Sequence, residues 1–274
     1  MNEDLEYLPT RPESGRFAGK HAFVSGGGSG IGRAIVHRLV ADGITAITVA
    51  DVRSDRVEQV RSELAGSSSL VVPLAADLAD PVAARAAVER ASGEMGGLEI
   101  LIANHAMVSP GTFLTETVEN WNRVFAVNTA SYFVLAQTAA RQMIAAGRGG
   151  AILFTGAAVE RGGATGHGIA YGSSKWAVLG MVKGMAVMLA PHRIRVCAVS
   201  PGAVDTNLAI DAAGEEAGNR AKAAAAAGLA IGRMGRPAEL AAMYAFLASD
   251  DASYVSGSNH WVDGAWMGPS QASS

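Results

Sequence analysis

The chain has 274 residues, 49% of them hydrophobic and 17% charged, with a formal net charge of -3 at pH 7. That length allows one large core, and the absence of any basic block argues against nucleic acid or an anionic membrane surface as partner. The single cysteine, Cys197, excludes an internal disulfide; its strand-like surroundings predict a buried thiol.

In chain order, residues 1–16 carry Pro9, Pro12, Gly15 and scattered charge, and read as a flexible N-terminal arm. Met1–Glu6 is acidic without an apolar segment, so no export signal is expected. The run Lys20–Ser25 predicts a strand. Gly26-Gly27-Gly28-Ser29-Gly30-Ile31-Gly32 follows, and then a helix with Ile35, Val36, Leu39 and Val40 on one face. A strand, a glycine turn and a helix form the context in which backbone N–H groups meet a pyrophosphate at the positive helix end. Nucleotide binding is therefore expected at Gly26, Gly28, Ser29, Gly30 and Ile31. A second strand, Ala46–Ala50, leads into Asp51, 19 residues beyond Gly32, close to the ~20 typical of the carboxylate that accepts from a ribose 2′-OH. Such a carboxylate repels a 2′-phosphate, and Ser29 is not basic, so NAD is favoured over NADP. Arg53 is the nearby cation that opposes this reading.

The alternation continues through a strand Leu70–Ala75 ending near Asp77, a helix Pro81–Met95, and a strand Leu98–Ala103 ending in Asn104-His105-Ala106. One long helix is predicted over Thr117–Ala146, then a strand Gly150–Thr155, a helix Tyr171–Ala190 and a strand Ile194–Val199 capped by Pro201-Gly202. Strands alternating with helices of this length predict a parallel sheet covered on both faces. No linker marks a second domain, so residues 17–274 read as one unit. The alanine-rich run Ala212–Ala230 reads equally as a mobile helical lid, extending over about 207–230, or as a plain surface helix. The apolar helix Trp176–Ala190 is interrupted by Lys183 and is too short to span a bilayer, so a cytoplasmic protein is expected.

Tyr171 and Lys175 are four residues apart at the start of that helix, hence on one face. An ammonium one turn from a phenol favours the phenolate and lowers a pKa that is ordinarily ~10, which suits Tyr171 to carry protons near neutral pH. The six histidines are spread without metal-ligand spacing, so no metal site is expected. His167, four residues before Tyr171, faces either substrate or solvent. His105 lies at a strand end where ligands bind in such sheets, or else merely packs. Met107, Val108, Val159, His167, Ala203, Leu208 and Ile210 are the expected pocket formers. Being mostly neutral and apolar, they predict an uncharged, moderately bulky substrate.

Taken together, Ser25-Gly26-x-x-x-Gly30-x-Gly32, Asp77, Val127-Asn128-Thr129, Tyr171/Lys175, Pro201-Gly202 with Val204 and Thr206, Gly232–Pro237 and Asp263-Gly264 resemble the short-chain dehydrogenase/reductase family over residues 17–266. The resemblance implies an α/β Rossmann-type doubly wound sheet of seven parallel strands and a homotetramer. It implies hydride transfer between NAD(H) and a secondary alcohol or ketone. Tyr171 would exchange the proton, Lys175 would bond the nicotinamide ribose and act on Tyr171, and Asn128 would hold a water in a relay. It also implies cofactor contacts at Asp51, Val52, Asp77, Leu78, Asn104, Ala106, Tyr171, Lys175, Pro201, Gly202, Val204 and Thr206.

One member of that catalytic set is missing. The family usually carries a serine about 13 residues before the tyrosine, where this chain has Ala158; alignment on the strand gives Ala157 instead. Three explanations stand side by side. The chain is a serine-to-alanine variant; or Thr155, Thr165 or His167 replaces the hydroxyl; or it is a catalytically silent NAD-binding protein with a regulatory or assembly role. Ala106 and Ala265 also stand where the family usually has glycine.

Overall fold

A computed structural model describes residues 15–108, 112–158, 168–227 and 229–266. Val159, Thr165, His167 and nearly all of the N-terminal arm lie outside the described residues. Seven strands form one sheet: β1 His21–Ser25, β2 Ala46–Asp51, β3 Leu70–Ala75, β4 Ile100–Ala103, β5 Gly150–Thr155, β6 Ile194–Pro201 and β7 Asn259–Val262. Their order is β3-β2-β1-β4-β5-β6-β7, and every pairing is parallel. The expected doubly wound sheet is present, with its order reversing between β1 and β4, where such sheets open a crevice at the carboxyl ends of the strands.

The helices are α1 Gly30–Ala41, α2 Ser54–Glu63, α3 Pro81–Met95, α4 Val118–Phe125, α5 Ser131–Ala146, α6 Ile169–Leu189, α7 Leu208–Ala213, α8 Glu215–Ala227 and α9 Pro237–Ala248. Strand residues alternate between two cores. Ile152, Phe154, Val196 and Ala198 pack with α3, α5 and α6. Leu153, Cys197 and Val199 pack with α1, α2 and α9. Apolar residues on both strand faces are what a sheet covered on both sides requires. Helix α3 has the limits its sequence predicts, because Asp80 caps it by accepting from the Val82 N–H at 2.8 Å and Gly96 ends it in the left-handed region at φ 78°.

One helical reading is corrected and a second is divided. The single helix expected over Thr117–Ala146 is interrupted at Ala126–Ala130 by a π-turn, in which the Ser131 N–H reaches the Ala126 carbonyl. Its cause is local. Asn128 is bound sideways to the loop after β4, and Ser131 Oγ donates to the Val127 carbonyl at 2.5 Å. The alanine-rich run forms two helices, broken at Gly214. They cross closely enough that a side chain at Gly218 would fall 2.6 Å from the Ile210 Cα.

Candidate active site

Strand β5 and helix α6 carry the centre of the site. Tyr171 and Lys175 occupy the first two turns of α6 and are both buried, Lys175 completely. The Lys175 ammonium donates to the Thr155 carbonyl at 2.8 Å and lies 5.7 Å from the centre of the Tyr171 ring and 5.2 Å from that of Tyr132. The two residues that the helical spacing paired are thus brought together at the end of β5.

Two other buried tyrosines are held as neutral donors. Burial pushes both phenols up; Tyr132 gives its hydroxyl to the His105 carbonyl at 2.8 Å and Tyr244 to Thr155 Oγ1 at 2.6 Å. Thr155 in turn donates to Asn104 Oδ1 at 3.1 Å. Its hydroxyl is therefore committed to the scaffold, and the expectation that Thr155 replaces the missing serine is corrected on that ground.

Beyond β5 the backbone stays paired with β6: the Gly156 N–H reaches the Val199 carbonyl and the Ala158 N–H the Pro201 carbonyl, each at 2.8 Å. Continued strand alternation would turn Ala158, like Phe154, toward the core that contains α6, and Ala157, like Thr155, toward α9. Both alanines are buried.

Asn128 sits on the π-turn, fully buried. Its Oδ1 accepts from the Met107 N–H at 2.8 Å, and its Nδ2 donates to the Met107 carbonyl at 2.8 Å and to Ser174 Oγ at 3.0 Å. Both amide protons are used, so the expected water relay cannot hang on the side-chain donors. Ser174, absent from the expected set, also donates to the Tyr171 carbonyl at 2.7 Å and so ties Asn128 to the Tyr/Lys helix. The signal for it was its position, three residues after Tyr171 on the same face of an apolar helix.

His105 packs. Desolvation, with Lys175 adding repulsion, drops its pKa to about 3, so it is neutral. The network assigns its tautomer: Nε2–H donates to Ser131 Oγ at 2.8 Å while Nδ1 accepts from Ser25 Oγ at 2.7 Å. The imidazole thereby clamps the end of β1 to the π-turn.

The glycine loop closes tightly on its surroundings. A Cβ on Gly32 would fall 1.9 Å from the Gly26 carbonyl oxygen. One on Gly28 would fall 2.9 Å from Asp51 Oδ2 and 2.7 Å from the Arg56 Cβ. Asp51 is buried at the end of β2 and accepts from the N–H groups of Gly28 and Arg53 at 3.2 and 3.1 Å, which leaves each carboxylate oxygen a further lone pair. Arg53, the expected opposing cation, is turned away into an exposed ion pair with Asp55. The cation that faces the loop is Arg56, whose Nη1 lies 3.4 Å from Ser29 Oγ.

Of the other expected cofactor residues, two reach this loop directly. Asn104 Nδ2 donates to the Gly26 carbonyl at 3.3 Å, and Thr206 Cγ2 lies 3.2 Å from where a Gly30 Cβ would stand. Val204 bridges to Gly235, and Gly202 packs on Asp263 so closely that a Cβ would come within 2.6 Å of its Cα. Ile31 packs against the α1/α9 core, Ala106 lies half-buried beside His105, and Val52 and Asp77 are exposed at the ends of β2 and β3. Leu78 departs from expectation, because its side chain is spent in the core beneath α3. Of the expected pocket, Met107 is fixed through its backbone, Ala203 is half-buried, and Leu208 is exposed at the start of α7. Among the described residues no group of three His, Cys, Asp or Glu side chains is placed to hold a metal ion. No helix among them is long and apolar enough to cross a membrane.

A protein-family model described as Enoyl-(Acyl carrier protein) reductase matches residues 26–266. The chain is 33% identical over 251 residues to a 3-alpha-(or 20-beta)-hydroxysteroid dehydrogenase of Mycobacterium bovis, covering 92% of this chain and 90% of that protein. It is 35% identical over 252 residues to L-xylulose reductase of Bos taurus, covering 92% and 98%. A solved short-chain type dehydrogenase/reductase from Mycobacterium marinum superposes with a TM-score of 0.84 at 34% identity, over 93% of this chain and 97% of that one. Sequence and structure agree: this chain belongs to the short-chain dehydrogenase/reductase family, whose oxidoreductases use nicotinamide cofactors.

Proposed function

We propose that the chain transfers a hydride between NAD(H) and a secondary alcohol or its ketone, with Tyr171 exchanging the proton. The observation that carries this reading is the buried Tyr171/Lys175 pair, its ammonium anchored on the Thr155 carbonyl. In oxidation the Tyr171 oxygen takes the hydroxyl proton while the carbinol carbon gives up its hydride; in reduction both return. The Lys175 charge favours the ionised phenol. A nicotinamide, when bound, accepts or supplies the hydride. The glycine loop offers backbone N–H groups at the start of α1, and Asp51 is the acceptor for an adenosine ribose hydroxyl, which supports NAD. Lys175 would reach the nicotinamide-side ribose. Asn128, pinned to Met107 and Ser174, holds the π-turn whose backbone would carry the relay water. The apolar surroundings suit an uncharged, moderately bulky substrate, with α7 and α8 as its lid. We also place the protein in the cytoplasm as a homotetramer.

The test is Tyr171→Phe. Turnover of a panel of secondary alcohols should be abolished, while NADH titration should give nearly unchanged affinity. A variant that keeps most of its activity ends the mechanism. The second reading, a silent NAD-binding protein, is favoured by one observation: with Ala157 and Ala158 in the site and Thr155 engaged elsewhere, no hydroxyl among these residues is left to hold the substrate oxygen. Losing one such donor costs about 2.7–4 kcal/mol.

A further inference from the structure

We propose that Asp211, on helix α7, sets which dinucleotide the chain accepts by holding Arg56 in an ion pair across the mouth of the glycine loop; this rests on the nicotinamide reading above. Arg56 Nη2 lies 3.0 and 3.3 Å from the two Asp211 oxygens, while Nη1 faces Ser29 Oγ. The stem of Arg56 stands beside Asp51, because a side chain at Gly28 would strike both. The guanidinium therefore belongs to the same corner as the carboxylate that accepts a ribose hydroxyl, and there it would be the natural partner of a 2′-phosphate. In this chain it is already engaged. The corner holds three carboxylates, Asp51, Asp55 and Asp211, against two guanidiniums, Arg53 and Arg56.

A phosphate monoester brings a charge of about -1.5 to -2 near neutral pH. To reach Arg56 it must displace Asp211 and stand beside it, close to Asp51. The ion pair is partly exposed, with side chains 25% and 46% accessible, so it is weak and salt-screened. Its effect is on choice rather than on stability. Removing the Asp211 charge leaves Arg56 available and takes one negative charge from the corner. A helix of the substrate lid thus acts on the adenosine end of the cofactor.

The experiment is titration of NADH and NADPH, followed by nicotinamide fluorescence, into the full chain and its Asp211→Asn, Asp211→Ala, Arg56→Gln and Arg56→Gln/Asp211→Asn variants. Both Asp211 variants should bind NADPH about tenfold tighter or more, the size of one charge-assisted contact, with NADH changed by less than about threefold. The gain should vanish in the double variant and shrink in high salt. An unchanged NADPH affinity in both Asp211 variants, or a gain that survives Arg56→Gln, overturns the proposal while leaving the nicotinamide reading intact. If the unmodified chain bound neither dinucleotide, the nicotinamide reading would fall and this proposal with it. If it bound NADPH as tightly as NADH, Asp211 would not be discriminating and the proposal would be wrong.

Discussion

At the scale of single residues the site turns on Ala158. The chain retains the phenol, the ammonium and the buried amide, yet among the described residues at the end of β5 the one hydroxyl, on Thr155, is engaged by Asn104 and Tyr244. The backbone pairing with β6 continues through the Ala158 N–H, and continued alternation from Phe154 would aim its side chain at the α6 core. Ala158→Ser should therefore restore a donor and raise kcat by about 100-fold or more, and Ala157→Ser should not. Steady-state rates of the two variants on one substrate decide this; equal effects would show that the alternation does not extend past Thr155. Much of this was legible from spacing alone. Tyr171 and Lys175 had to share a face, and Asp51 had to follow the second strand. The bond from Asn128 to Ser174, the placing of Arg56 and the engagement of Thr155 were not legible, because each is defined by a partner 27 to 155 positions away. Ala265 shows the opposite case. It replaces a glycine expected from the family resemblance, and the backbone there does adopt the left-handed region, at φ 60°.

At the scale of elements, the motif Gly232–Pro237 is a helix cap. Glu239 accepts from the Arg236 backbone N–H at 2.7 Å and from both ends of the Arg233 guanidinium at 2.7 and 2.8 Å. Those bonds drop its pKa from an ordinary 4.5 to about 2, the Arg233 contact counting most. A depressed carboxylate contributes stability above its unfolded pKa and loses it as pH falls through the folded one. Glu239→Gln should then cost about 1 kcal/mol at pH 7, a figure reduced for the part-exposed pair. The cost should shrink as pH falls from 4.5 toward 2. Urea unfolding at pH 7 and pH 3 checks the sign; a cost that grew on acidification would refute it. The cap was visible in the sequence only as a family-like string. The break within Thr117–Ala146 was not legible, because Val127, Asn128 and Thr129, though weak helix formers, sit inside a long apolar run, and what marks the extra residue is the hold on Asn128 by Met107 and on the Val127 carbonyl by Ser131.

For the molecule as a whole, the parallel sheet and both covered faces followed from the alternation of strands and helices, whereas the seventh strand had to come from the resemblance and the strand order from the structure. The helix carrying Trp176, Val178, Met181, Met185 and Met188 divides cleanly. Val178 is in the core and Met181 and Met185 pack against it, while Trp176 and Met188 are exposed at 57% and 75%. With Phe133 also exposed and an apolar groove lined by Phe125, Thr129, Phe133 and Met181, this is the face on which the proposed homotetramer would assemble. Sedimentation at micromolar concentration should report a tetramer, and Trp176→Glu should give smaller species; a monomeric unmodified chain would dispose of the idea. The lone thiol offers a different kind of reading. Cys197 is wholly enclosed in β6, its Sγ directed at the Val255 carbonyl at 3.4 Å. A maleimide reagent can reach it only when β6 is uncovered, so the rate of alkylation in native buffer is a clock for the opening of the sheet. With no second cysteine to blur the signal, dinucleotide added at 100 times its Kd should slow that clock about 100-fold if the opening disrupts the glycine loop. An unchanged rate would mean that this edge of the sheet opens by itself.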